Sequence, residues 1–280
     1  MQLDDRKEFL TSEYWQVFDK WAYDIKPESY RLSWHIFDDI FSAYSNVVTN
    51  KYIEINHLIS QWDCVLADLG GDPTHQDWNH FRPLRLSREE DWSDWLAFLI
   101  EKSETGVFAH QLHQIPPFKP SAYAFPRNVE REVSFKSHRA DIIVQWRDGH
   151  YSHIEVKVGD QSLLKTYETS RMLRKKYGQP ISRWSNFILL LSPQIPAWDE
   201  INNVDSIEPP VIALTWDVVS IALRRALRSV EKYLWKAWAY AFIGTIEQSL
   251  IGYPGHRLQD RPIEGIDTKI KILKGGLELE

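Results

Sequence analysis

The sequence predicts an α/β protein in which helices flank a mixed β-sheet, with an α-helical region ahead of it. Three observations carry that expectation. Residues 129–158 alternate apolar and polar around an Asp148-Gly149 turn, the pattern of half-buried antiparallel strands. Residues 187–191 (Phe-Ile-Leu-Leu-Leu) and 211–215 are continuous apolar runs, as in strands covered on both faces. Around these runs, apolar residues recur at helical spacing.

Taken in order, residues 29–48 space Leu32, Ile36, Ile40, Phe41 and Tyr44 as one helix. Residues 52–69 do the same with Ile55, Leu58, Ile59, Trp62, Val65, Leu66 and Leu69, and Gly70-Gly71 reads as a stop. A further helix starts with Ser87 as N-cap and Glu90 completing a capping box; Trp92, Trp95, Leu96, Leu99 and Ile100 form its apolar face. It ends before Gly106, and 107–114 reads as a short helix broken by Pro116 and Pro117. Strands follow over 129–135, 139–146 and 151–158. A basic amphipathic helix over 162–177 is closed by Gly178. After the two apolar strands, Asp217 is expected to cap a long helix running to about Ile251, and 252–280 is weakly patterned. The expected division is a helical N-terminal region over 1–80, a core over 81–230, and a helix end and tail over 231–280.

Composition narrows the function classes. The chain has 280 residues, 43% hydrophobic and 26% charged, so global disorder is excluded. No run approaches the roughly 18 apolar residues of a membrane span, and Met1 to Glu13 lacks the apolar core of a signal peptide. With a single cysteine, Cys64, there is no intramolecular disulfide and no Cys-based zinc site, and a cytoplasmic location is expected. Cys64 is expected as a buried thiol, and His75, His80, His110 and His113 as ordinary polar or core residues. Net charge is −6, but residues 127–183 hold 12 Lys+Arg against 7 Asp+Glu. This basic island would attract an anion, although Arg171, Arg174, Lys175 and Lys176 also fit a solvated helix face.

Within the island, Glu155-Val156-Lys157 puts an acid and a lysine on one face of a strand. Asp141 opens the strand folded against it, so the two carboxylates come close. A divalent cation would resolve their repulsion, and magnesium favours one or two carboxylates plus water. Acid-x-Lys alone is weak. It occurs four times in the chain, at Asp5, Asp24, Glu155 and Asp267, and only the Glu155 copy lies in a strand beside a hairpin turn. A cross-strand ion pair on an exposed sheet face is the plainer alternative.

The segment Arg139-Ala140-Asp141-Ile142-Ile143-Val144, followed by His153-Ile154-Glu155-Val156-Lys157, resembles the PD-(D/E)XK nuclease superfamily over about residues 84–230. The resemblance implies a restriction-endonuclease-like core. Ala140 stands where the motif has proline. The stretch from Glu89 to Ile100 is similar to the superfamily's first core helix, which often carries an acid facing the site; Glu89 is preferred for it over Glu90 and Glu101. The resemblance implies a metal-dependent nuclease, with DNA favoured over RNA or a small nucleotide, in a defence or DNA-processing setting. Asp141 and Glu155, with the backbone of Val156, would hold Mg2+ or Mn2+; Lys157 would position the attacking water. Lys165, Tyr167, Arg171, Arg174 and Lys175 would contact nucleic acid. Gln161 would stand in for the glutamine that relatives carry on this helix. The alternative is a nuclease fold kept as a binding or assembly subunit, docking a protein partner through the acidic, Trp-rich N-terminal region. A homo-oligomer is compatible with either.

Overall fold

A computed structural model describes residues 34–76, 78, 86, 88–113, 125–158, 165–195, 210–253 and 265–278. The chain divides into two compact units, Met1–Thr49 and Asn50–Glu280. Where two helices are expected, one helix of 32 residues, α1, runs over Trp34–Val65. No Gly or Pro lies between Ser29 and Leu69, so nothing in the sequence breaks it. In the first unit its Ile40, Phe41, Tyr44 and Val47 are exposed; in the second its Ile55, Leu58 and Trp62 are buried. Cys64 falls two residues past Trp62, off that buried face, and is exposed rather than buried. Gly70 and Gly71 then end the run with φ of +95° and +92°.

Helix α2 spans Glu89–Lys102 and α3 spans Val107–Leu112. The cap of α2 differs from the expected one: the Arg88 N–H donates to Asp91 Oδ2 at 3.0 Å. Glu90 is thereby released from capping and reaches Arg139 at 3.4 Å instead. Ser87 lies outside the described residues.

The sheet has five strands in sequential order: β1 (Pro126–Phe135), β2 (His138–Trp146), β3 (Tyr151–Val156), β4 (Trp184–Leu190) and β5 (Val211–Thr215). β1, β2 and β3 are antiparallel neighbours; β3, β4 and β5 are parallel. The sheet is therefore mixed, as expected. The Asp-Gly signal marks the β2–β3 turn, where Gly149 takes a φ of +87° and Asp148 Oδ1 accepts the His150 N–H at 3.0 Å. One face of the sheet, with Ile142, Val144, Ile154, Val156, Phe187 and Leu189, enters the main core with Trp92, Leu96, Leu223 and Phe242. On the other face lies α4 (Lys165–Lys176), whose Leu173 packs with Ile143, Tyr151 and Trp184.

The expected long C-terminal helix is two: α5 (Trp216–Leu227) and α6 (Tyr233–Thr245), continued by a π-helical turn over Ile246–Leu250. The break between them has a tertiary cause. Glu231 is drawn to the α2–α3 connection, where its carboxylate accepts the Glu104 N–H at 2.9 Å and the Thr105 N–H at 3.2 Å, together with both hydroxyls of Ser103 and Thr105. Thr215 precedes α5 as its cap, and Asp217 sits buried in the first turn, bonded to Lys271. The weakly patterned tail contains a further helix, α7 (Ile266–Leu277), with Ile266, Ile270 and Leu273 buried. Among the described residues no helix is long and apolar enough to cross a membrane.

His113, closing α3, is fully buried with its ring edge-on to Trp146 and Phe187, and Nδ1 lies 2.6 Å from the Ala109 carbonyl oxygen. Burial pushes its pKa down to about 4. The unfolded chain, with His near 6.5, therefore binds the extra proton first. The stabilising effect is complete above about pH 6.5 and is lost as pH falls towards 4, by about 3 kcal/mol in all. His113→Leu is expected to lose less stability than the native chain over that window, as read from denaturant midpoints at pH 7 and pH 4.5.

Candidate active site

The candidate site forms where β2 and β3 stop pairing. Their ladder runs from Gln145–Tyr151 to Ile142–Ile154, and the same register carried one step further sets Asp141 opposite Glu155. There the backbone ladder is replaced by a side chain: Asp141 Oδ2 accepts the Val156 N–H at 2.8 Å. Beyond that point β3 is held by β4, with the Lys157 N–H donating to the Leu189 carbonyl at 2.8 Å. β3 is buried along its whole length, and Glu155 within it and Lys157 just past its end are 8% and 7% exposed, not on an open sheet face. The plainer alternative, an exposed ion pair, does not describe them.

Charged groups this deep persist only when paired, and these are. Lys157 Nζ lies 3.2 Å from Glu155 Oε1 and 3.6 Å from Glu89 Oε2. Glu89, in the first turn of α2, turns its other oxygen to the Val158 N–H at 2.7 Å, so it clamps the end of the motif from the helix side. Of the three candidate helix acids, only Glu89 comes to this cluster; Glu90 pairs with Arg139, and Glu101 reaches Lys102 at the far end of α2. Burial opposes the charge on Lys157, but Glu155 and Glu89 outweigh it and hold the ammonium charged well above its ordinary range. Lys157 is thus a donor and a positive charge here, not a proton acceptor.

The carboxylates split in the opposite sense. Burial first, then the nearby charge of Glu155, push Asp141 up to about 7, against the pull of the Val156 N–H and Lys157. Glu155 is held below its ordinary value, because His153 and Lys157 outweigh the effect of its own burial. Its Oε2 is buried without a hydrogen-bond partner among the described residues. Two carboxylates that resist joint ionisation, one with an unspent oxygen, are a donor set that suits a hard divalent cation. No group of three or more His, Cys, Asp or Glu side chains able to hold a metal occurs among the described residues. A cation here would rest on Asp141, Glu155, the Val156 carbonyl and water.

The basic helix is more mixed than its sequence implies. Lys165, Arg171 and Lys175 are exposed on α4. Arg174 turns back to the Gln179 carbonyl at 3.1 Å, closing the end of the helix. Tyr167 packs on Ile188, Leu190 and Val211, and burial raises its hydroxyl pKa. Gln161 lies outside the described residues. Sequence reasoning missed His153, fully buried one alternation before Glu155, although the pattern His-x-Glu-x-Lys already put it on the same strand face.

No protein-family model matches the chain, and neither a curated protein nor a solved structure matches it.

Proposed function

We propose that the chain is a metal-dependent phosphodiesterase of the PD-(D/E)XK type, acting on nucleic acid with DNA favoured. The observation that carries this reading is the meeting of buried Glu155 and Lys157 with half-buried Asp141 and Glu89 at the end of the β2–β3 ladder. Asp141 and Glu155, with the Val156 carbonyl, would hold Mg2+ or Mn2+. Such an ion supplies Lewis-acid charge against a phosphate oxygen and lowers the pKa of bound water. Lys157, fixed between two carboxylates, is placed to orient water and to offset charge developing on the phosphoryl group. Glu89 keeps that lysine and the Val158 N–H in place. The exposed Lys165, Arg171 and Lys175 suit phosphate-backbone contacts, which give affinity without sequence preference.

The test is cleavage of supercoiled plasmid, single-stranded DNA and RNA in Mg2+ or Mn2+, with EDTA as control, for the native chain and Lys157→Met. Metal-dependent cleavage that falls at least about 100-fold in Lys157→Met is expected. Absence of cleavage of every substrate with both metals overturns the reading in favour of a nuclease fold kept as an assembly module.

A further inference from the structure

We infer that His153 is a positioning residue for Glu155, fixing the carboxylate that would hold the metal. This rests on the reading of the site given above. His153 is on β3 two residues before Glu155, hence on the same face of the sheet, and is fully buried. Its ladder neighbours are Ile143 on β2 and Asn186 on β4. Ile143 offers no polar group, and the Asn186 side-chain oxygen accepts from Trp184 Nε1 at 2.7 Å and from the Ser170 hydroxyl. Neither ring nitrogen of His153 has a hydrogen-bond partner among the described residues. The carboxylate recorded within ion-pair reach is that of Glu155, whose Oε2 stands 3.6 Å from His153 Nε2.

Glu155 thereby lies between two donors, with Lys157 Nζ on Oε1 and His153 Nε2 facing Oε2. The gap to His153 is a few tenths of an ångström beyond a hydrogen bond, so a small rotation of either side chain closes it. A buried imidazole with both nitrogens unspent is costly unless something uses it. Groups that orient a metal-binding carboxylate from behind commonly shift metal affinity 10–100-fold. If His153 were only core packing, any side chain of similar volume would serve, and the metal would not register the change.

The experiment is Mn2+ binding by calorimetry to the native chain, His153→Phe and His153→Gln, with the metal dependence of kcat and KM measured alongside. Phe keeps a planar aromatic ring and removes both nitrogens; Gln, smaller than either, restores a donor. The expected result is roughly tenfold or greater weakening of Mn2+ binding in His153→Phe, and recovery in His153→Gln. The rate should be regained at high metal, while KM for nucleic acid stays unchanged. Equal Mn2+ affinity in the native chain and His153→Phe overturns the inference and leaves the metal site standing. Failure of the native chain to bind Mn2+ overturns the site reading and this inference with it. Should His153→Phe not fold, histidine side-chain NMR of the native chain under Mg2+ titration decides. Movement of the His153 ring resonances on saturation supports the role, and their constancy refutes it.

Discussion

Asp141→Asn is expected to abolish metal-dependent cleavage, by roughly 100-fold or more, while leaving the fold intact. The two halves of this result come from the two jobs of one side chain. As a hydrogen-bond acceptor, Asp141 takes the Val156 N–H where the β2–β3 ladder gives out. An asparagine Oδ1 can accept the same bond, so the strand ends stay joined and the N–H is not stranded. As an anion, Asp141 lies opposite Glu155, and burial together with that neighbour makes its charge hard to hold without a cation. Asparagine removes the charge and with it half of the donor set. Thermal melting in EDTA should therefore differ little between Asp141→Asn and the native chain. Added Mn2+ should raise the native midpoint and leave the variant unmoved, because a ligand stabilises only the state that binds it. Asp141→Ala separates the jobs from the other side. It loses cleavage as well, and it also loses stability, since the Val156 N–H is left buried and unpaired at a cost of about 1–3 kcal/mol. Cleavage by Asp141→Asn close to the native rate would remove Asp141 from the site.

How much of this was legible in the sequence depends on how far apart the cause and its effect lie along the chain. The hairpin strands and the Asp141–Glu155–Lys157 cluster were legible because alternation fixes which side chains share a face, and a short turn fixes which residues oppose. Glu89 was legible only through the order of elements, since nothing local in residues 88–91 says which acid points at β3. The α5–α6 break was not legible. Residues 217–251 carry helical spacing throughout, and the break is set by what Glu231 finds at Ser103, Glu104 and Thr105, more than 120 residues earlier. Helix α7 was passed over because residues 252–280 carry too weak an apolar pattern to mark it, and its last turn holds Gly275 and Gly276. In the structure Gly276 is a close approach: a Cβ there would come within 2.7 Å of the Trp62 ring and 2.9 Å of Arg224. The Asp267-x-Lys269 match, dismissed with the other weak copies, belongs to neither a strand nor the site, yet its lysine is fully buried among charges. The sequence offers no spacing rule for such a cluster, because its members come from four separate segments.

That cluster sets the second large effect, in which Arg224→Met is expected to destabilise the protein by about 3–5 kcal/mol. Asp72, Arg224, Glu247 and Lys269 are all fully buried. The Arg224 guanidinium meets Glu247 through two bonds, Nε to Oε1 at 2.8 Å and Nη2 to Oε2 at 3.0 Å, and donates from Nη1 to Asp72 Oδ2 at 2.8 Å. Its face lies 4.8 Å from the Trp62 ring. Lys269 bonds the other Asp72 oxygen and shares Glu247 Oε2 with Arg224, and the Ser220 hydroxyl and the Thr74 N–H donate to Glu247 Oε1 and Asp72 Oδ1. Two cations and two anions balance, so the network tolerates burial; with methionine at 224, one lysine faces two carboxylates and a net negative charge is left in the core. For a unit of this size the loss corresponds to a fall of roughly 10 °C in the melting midpoint. Two further readings separate charge imbalance from lost packing. Asp72 and Glu247 are held below the ordinary carboxylate range because the attraction of Arg224 and Lys269 outweighs their burial. Their stabilising effect is therefore present above about pH 4 and lost as pH falls below it. The gap between native and Arg224→Met should narrow on acidification. Adding Glu247→Met to Arg224→Met restores one cation to one anion and should recover part of the loss, a coupling that a double-mutant cycle reads directly. Equal melting midpoints for Arg224→Met and the native chain would show that the network carries no net stability.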